Sequence, residues 1–222
     1  MVTTRRKLAE RTYERLDSLP SEIQRAARAV LLYYSGSGYR DIWHYYQYRQ
    51  RYAERVLTVN GILNLLTYPA PEPLAVYRGA GYWEAGAILQ EVDNGNGEIV
   101  YGFPMSTSLD DSIARIFCAR RDIYNSDDCL YAQVLLSILI PEGYPVLYLP
   151  YPTLATVEGE EEVLLAPTTV LRVIDYEDYI DYDNQVLDRD ILVGVEGYEE
   201  DALPPESWDW EWLDSLAQKL SL

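Results

Sequence analysis

Three prolines in five residues, Pro69, Pro71 and Pro73 of PAPEP, split this chain into two textures. Proline has no amide hydrogen and restricts the residue before it, so neither a helix nor a central strand runs through the segment. Upstream, Ile23, Ala26, Ala27, Val30, Leu31 and Tyr34 recur at the three- and four-residue spacing of an amphipathic helix. A short polar helix over 5–17 precedes it. Ser21 with Gln24, after Pro20, forms a capping-box pattern at its start, and the glycines of SGSG, 35–38, predict its end. Further helical stretches run from about Tyr39 toward Val56 and through GILNLLTY, 61–68.

Downstream of the prolines the runs are short and β-rich. LAVYRG (74–79), EIVYGF (98–103), YAQVLLSILI (131–140), EVLLAP (162–167) and VLRVIDY (170–176) read as strands, and MSTSLDDSIARIFCAR (105–120) as a strand entering a helix. Ser108 is the expected N-cap of that helix, with Asp110 and Asp111 favouring its first turn. Helices first and strands later predict an α+β fold rather than alternating βαβ units. A length of 222 residues fits one domain with appendages.

The net charge is −18 and unevenly spread: residues 1–55 carry +5 and residues 56–222 carry −23. Such a field disfavours nucleic acid and suits a basic protein partner. Two cysteines, Cys118 and Cys129, and a single histidine, His44, are too few for a typical zinc site, so no metal is expected. The same scarcity argues against a Cys–His nucleophilic pair. The N-terminus lacks the apolar core of a signal peptide, and no apolar run is long enough to span a membrane. The expectation is action in a cytoplasm, either where the chain is made or after delivery into a host. The C-terminal part, from about Asp175, is acidic and rich in Tyr and Trp. Its last segment predicts a short amphipathic helix through Trp212, Leu213, Leu216 and Leu220, which either packs on the body or binds a partner.

Four motifs carry residues suited to chemistry. In TVEGEEEVLLAP (156–167), a strand that begins slightly early aims Glu160 and Glu162 the same way and Glu161 oppositely; the alternative is a solvated acidic turn. Arg78, in VYRG, is either a strand-end arginine in water or a bidentate phosphate clamp, with Gly79 admitting a ligand to the backbone. Ser106, Thr107 and Ser108 place two hydroxyls on one strand face and one on the other. Phe117 and Arg120, three apart, share a face if both are helical, where they suit a planar ring and a phosphate; core packing is the other reading of Phe117.

Arg in YRG, then STSL, then Phe-x-x-Arg, then Glu-x-Glu before VLL resembles, in order and spacing, the Arg-Ser-Glu class of mono-ADP-ribosyltransferases, which includes clostridial binary-toxin components, bacterial effectors and phage enzymes. YYSGSGYRDI (33–42) is similar to that family's tyrosine-glycine-serine element, and IPEGYPVLYL (140–149) to the strand and turn before its catalytic loop. The resemblance covers roughly 22–176. It implies an ADP-ribosyltransferase domain over 21–176, an N-terminal helical extension over 1–20, and an acidic Tyr/Trp-rich extension over 177–222. It also implies two steeply packed sheets with NAD, as co-substrate, in the cleft between them.

The implied roles follow residue by residue. Arg78, with Gly79, holds the NAD phosphates or adjoining ribose. Ser106, flanked by Thr107 and Ser108, positions the nicotinamide ribose or the catalytic glutamate. Phe117 and Arg120 flank the nicotinamide half, and Tyr34 and Tyr39 line the cleft from the helical side. Glu162 is the catalytic glutamate and Glu160 faces the acceptor. A carboxylate that accepts the ribose 2′-hydroxyl stabilises the electron-poor sugar as nicotinamide leaves; such preorganised groups are worth about 3–4 kcal/mol each. Glu at 160, rather than Gln, implies an arginine acceptor on a target protein, because a protonated guanidinium needs a carboxylate to orient it and take its proton. NAD hydrolysis at the same site and a catalytically idle NAD- or partner-binding module are the competing readings. Trp43 after Ile42, and Phe103 three residues before Ser106 rather than two, depart from the family pattern.

Overall fold

Small apolar residues let the second helix sit within the core. Ala26, Ala27, Ala29, Val30 and Leu31 are buried along one face of α2 (Ser21–Tyr33), and Leu8 and Leu16 of α1 (Val2–Asp17) are fully buried beside it. The computed structural model describes residues 2–38, 40, 42, 53–95, 97–101, 104–122, 131–155, 161–166, 169–197 and 204–222. Pro20, rather than Ser21, is the N-cap of α2, and no side chain caps it. The expected capping box is absent because Gln24 turns back, donating to the carbonyls of Asp17 (3.3 Å) and Leu19 (2.7 Å). The helix does not end at SGSG either: Tyr34–Gly38 adds one π-helical turn. Gly38 is needed there because a Cβ would lie 2.3 Å from the Tyr33 ring.

After α3 (Ala53–Leu66) and the two-residue strand β1 (Tyr68–Pro69), the chain alternates strands with two short helices. The strands are β2 (Leu74–Gly79), β3 (Glu98–Val100), β4 (Met105–Ser108), β5 (Arg121–Asp122), β6 (Tyr131–Ile140), β7 (Pro145–Tyr148), β8 (Glu162–Leu165), β9 (Val170–Asp181) and β10 (Val186–Gly197). The helices among them are α4 (Tyr82–Asp93) and α5 (Asp111–Ile116), and α6 (Trp210–Lys219) closes the chain. The fold is α+β, as the segregated texture predicts, although α4 interrupts the strands unannounced.

The expectation of two sheets needs correction: the strands form a single mixed sheet, in the order β1-β7-β8-β4-β2-β6-β10-β9-β3, with β5 on β6. The physical reason is β2, which bonds on both sides. It pairs with β6 from Leu74↔Ile140 to Gly79↔Leu135 and with β4 at Tyr77↔Ser108, the one described pair on that side. That narrow bridge carries the ladder across the line where two sheets were expected to separate.

The boundary expected at 176/177 falls inside β9, which continues to Asp181 and returns as β10. Strand β10 runs parallel to β6 from Val186↔Tyr131 to Gly194↔Leu139, so this acidic stretch is an integral part of the sheet. The last segment packs on the body. Trp208, Leu213 and Ala217 are buried, α6 lies against α2, and Trp212 meets the Tyr33 ring edge-on at 5.5 Å. The backbone amide of Asp209 donates to buried Thr58 at 3.1 Å. Among the described residues no helix is long and apolar enough to cross a membrane.

Candidate active site

Strands β2, β4 and β8 lie side by side at the narrow bridge, and they carry Arg78, Ser106 and Glu162. The register of β4 and β8 sets Ser106 opposite Leu164, Thr107 opposite Val163 and Ser108 opposite Glu162. Cross-strand partners share a face and alternate residues return to it. Ser106, Ser108 and Glu162 therefore lie on one face and Thr107 on the other. The Thr107 hydroxyl donates to the Val163 carbonyl at 2.7 Å and is buried, so it ties the two strands together. Glu162 is 5% exposed, and its carbonyl accepts the Leu149 amide at 2.9 Å.

Arg78 reaches this seam from the neighbouring strand, on which Tyr77 is the register partner of Ser108. Its Nη1 donates to the Ser106 carbonyl at 2.6 Å. Its Nε and Nη2 fork onto the two carboxylate oxygens of Glu84 at 2.6 and 2.9 Å. Both side chains are 16% exposed. The Tyr101 ring lies 5.4 Å from the guanidinium carbon, and the Tyr101 hydroxyl donates to Glu84. Burial opposes the charge on Arg78, but Glu84 and Tyr101 outweigh it and hold its pKa above the ordinary value. A planar guanidinium in such a fork is fixed in orientation, which an ammonium in its place would not be.

Sequence reasoning does not find Glu84 or Tyr101. A signal for Glu84 exists: it is the third residue after Gly81, the N-cap of α4, and its carboxylate accepts the Gly81 amide at 3.2 Å, the one half of a capping box that a glycine N-cap allows. One carboxylate thus starts a helix and grips the arginine six residues before it. Gly79 has a reason other than ligand approach. A Cβ on it would lie 2.0 Å from the Ala114 carbonyl oxygen and 2.7 Å from the Cys118 amide nitrogen, so its lack of a side chain lets α5 sit against β2.

Tyr34 connects the helical side. It is 2% exposed and its hydroxyl donates to the Pro104 carbonyl at 3.1 Å. Its pKa is raised, first by burial and then by the charge of Glu162, while Arg78 lowers it. The phenol is therefore within electrostatic reach of both candidate side chains.

The remaining expectations fare differently. Asp110, not Ser108, caps α5, accepting the Ser112 amide at 2.9 Å; the Ser108 hydroxyl instead accepts the Asp110 amide at 3.0 Å. Phe117 and Arg120 share no helical face, because α5 stops at Ile116 and Phe117 is its C-cap. Phe117 is 55% exposed, so it is not a core residue either, and Arg120 is exposed just before β5. Strand β8 begins at Glu162 and Glu161 has φ +50°, so the period-two alternation expected of the glutamates stops there. Glu160, Tyr39, Trp43, His44, Phe103 and Cys129 lie outside the described residues. The Cys118 thiol is pushed up to about 11, chiefly by burial, which keeps it protonated near neutrality. Among the described residues no group of three His, Cys, Asp or Glu side chains gathers to hold a metal.

No protein-family model and no curated protein sequence matches the chain. Solved structures do match. Plx2a, an ADP-ribosyltransferase toxin from Paenibacillus larvae, superposes with a TM-score of 0.61 at 14% identity, covering 88% of this chain and 96% of that one. C3stau2 from S. aureus, crystallised with NAD, gives 0.54 at 14% identity over 88% and 97%. The enzymatic component C2-I of the C2 toxin from Clostridium botulinum gives 0.57 at 16% identity over 88% of this chain and 47% of that one. With strands, helices and the Arg78–Ser106–Glu162 seam all in view, this chain has the fold of the ADP-ribosyltransferase toxins.

Proposed function

We propose that the protein is a mono-ADP-ribosyltransferase that takes ADP-ribose from NAD, releases nicotinamide and transfers the sugar to an arginine of a target protein. The observation that supports this reading is that an arginine, a serine and a buried glutamate stand on three adjacent strands, the arginine donating to the serine's backbone carbonyl, in a fold shared with ADP-ribosyltransferase toxins, one of them crystallised with NAD.

The residues present suit that co-substrate. Arg78 supplies fixed positive charge for a diphosphate or its ribose. Ser106 orients the ribose or the glutamate beside it. Glu162, held in a largely water-excluded position, accepts a hydrogen bond from the sugar and offsets the positive charge that develops there; burial strengthens the interaction and spares reorganisation. Phe117 and Arg120, exposed beyond α5, are placed in this reading against the nicotinamide half, with Thr107 and Ser108 framing Ser106, Gly79 beside Arg78, and Tyr34 and Tyr39 on the helical side. Glu160 orients the incoming guanidinium and takes its proton. The net −23 of residues 56–222 favours encounter with a basic target.

The test is incubation with labelled NAD and a cell lysate, followed by mapping of the modified residue. Label on arginine supports the whole reading. Label on asparagine or cysteine keeps the transferase and removes the role given to Glu160. Nicotinamide release without protein label would leave hydrolysis as the activity.

A further inference from the structure

Glu161, between the two candidate glutamates, has φ +50°. A residue with a Cβ enters this left-handed region at a cost, because the Cβ crowds the following carbonyl. Here the backbone is held at Glu161 and at the residue after it. The Glu161 carbonyl accepts the Leu109 amide at 3.2 Å, and the Glu162 carbonyl accepts the Leu149 amide at 2.9 Å. The Glu161 side chain turns toward α1 and forms an ion pair with Arg5, the two side chains being 20% and 31% exposed. Besides Glu161, the field of Arg5 reaches Asp110, the cap of α5, and Tyr148 of β7. Burial raises the Glu161 carboxyl from its usual range, Arg5 works against that, and Asp110 adds to it.

We propose that Arg5 is a positioning residue for the reaction: by pairing with Glu161 it holds the left-handed backbone that fixes where β8 begins, and so where Glu162 stands. The first helix, upstream of every recognisable motif, is then part of the catalytic apparatus. The inference rests on the NAD-cleaving reading for one of its two tests and stands without it for the other.

The experiment compares the full chain with Arg5→Ala, Arg5→Lys, Glu161→Gly and the double variant Arg5→Ala/Glu161→Gly. Two quantities are read: kcat and KM for NAD cleavage, and the hydrogen-exchange rate of the Leu109 amide, which reports the turn directly. Arg5→Ala is expected to lower kcat about fivefold or more, with KM for NAD little changed, and to speed Leu109 exchange. Arg5→Lys keeps part of both. Glycine adopts positive φ without an anchor, so the double variant is expected to recover both quantities. Arg5→Ala/Glu161→Ala, which removes the unpaired carboxylate but keeps a Cβ in the left-handed region, is expected not to recover either quantity, and recovery there would reduce Arg5 to neutralising a buried charge and overturn the proposal. Unchanged kcat and exchange in Arg5→Ala would overturn the proposal, as would a loss that Glu161→Gly fails to recover. If the wild-type chain cleaves no NAD, the enzymatic reading fails separately. Leu109 exchange then decides alone: recovery in Arg5→Ala/Glu161→Gly sustains the role of Arg5, and no recovery overturns it.

Discussion

The β6–β10–β9 ladder and the β2–β4–β8 seam belong to one sheet but are built on opposite plans. Strands β9 and β10 are twelve residues each, and β10 pairs with β6 over Val186–Gly194 and with β9 along most of its length. Most of their charge sits at the surface, where Arg115 with Asp190 and Arg172 with Glu196 are ion pairs with roughly half-exposed side chains; the exception is Arg189 of β10, 8% exposed, which forks onto Asp178 of β9 at 2.7 and 2.8 Å and donates to Asp93 at 2.7 Å. In the seam, β4 and β8 are four residues each and β2 meets β4 at a single described pair. Its charges are interior: Arg78 and Glu84 at 16% exposure, and Glu162 at 5%. A long ladder satisfies its backbone internally and leaves most of its charge in water, which costs little; Arg189, its buried arginine, is closed off by two carboxylates. A short, interrupted one leaves places for polar side chains inside, where each charge is strongly felt by its neighbours. The ladder supports the sheet, and the seam carries the groups proposed to react.

If that contrast is right, the largest effect belongs to Glu162→Ala. It is expected to abolish both nicotinamide release and transfer, a loss of at least about 10²–10³-fold, measured as product formed per folded molecule. Glu160→Ala comes next and is selective: transfer to arginine should disappear while NAD hydrolysis persists. Equal loss of both would reassign Glu160. Third, Glu84→Ala leaves the Arg78 guanidinium buried without its fork. Breaking a buried pair in this way costs about 3–5 kcal/mol, readable by denaturant unfolding. A cost below about 1 kcal/mol would place Arg78 in water and remove the contrast. The smallest effect belongs to the ladder. Asp190→Ala removes a partner from Arg115 at 2.6 Å, yet with side chains 48% and 43% exposed the expected change is within about 1 kcal/mol, with turnover per folded molecule unaltered.

The same contrast explains what could be read from the sequence. The seam was legible because its residues fall in short motifs whose strand character is local: Arg78 in VYRG, Ser106 in STS and Glu162 at the head of EVLL are all on strands. The partners that fix them were not legible. Glu84 reaches Arg78 from the first turn of a helix, Tyr101 from beyond β3, and nothing in a linear pattern says that Arg5 pairs with Glu161 across more than 150 positions. The second half of β9 and all of β10 carried no strand reading for a different reason. DYEDYIDYDNQ is rich in Asp and Glu, which are depleted in strands. Pairing of β10 with β6 overrides that local preference, and the exposed side chains of β9 tolerate the charge. The single sheet in place of two turned on one bridge, Tyr77 to Ser108, whose existence depends on register rather than on composition.

The most direct test of the central claim is nicotinamide release from NAD by the purified chain, run beside its Glu162→Ala variant and with saturable NAD binding measured on the wild type. The account predicts release that saturates with NAD in the wild type and is absent in the variant. Absence of both binding and release in the folded wild-type protein would contradict it.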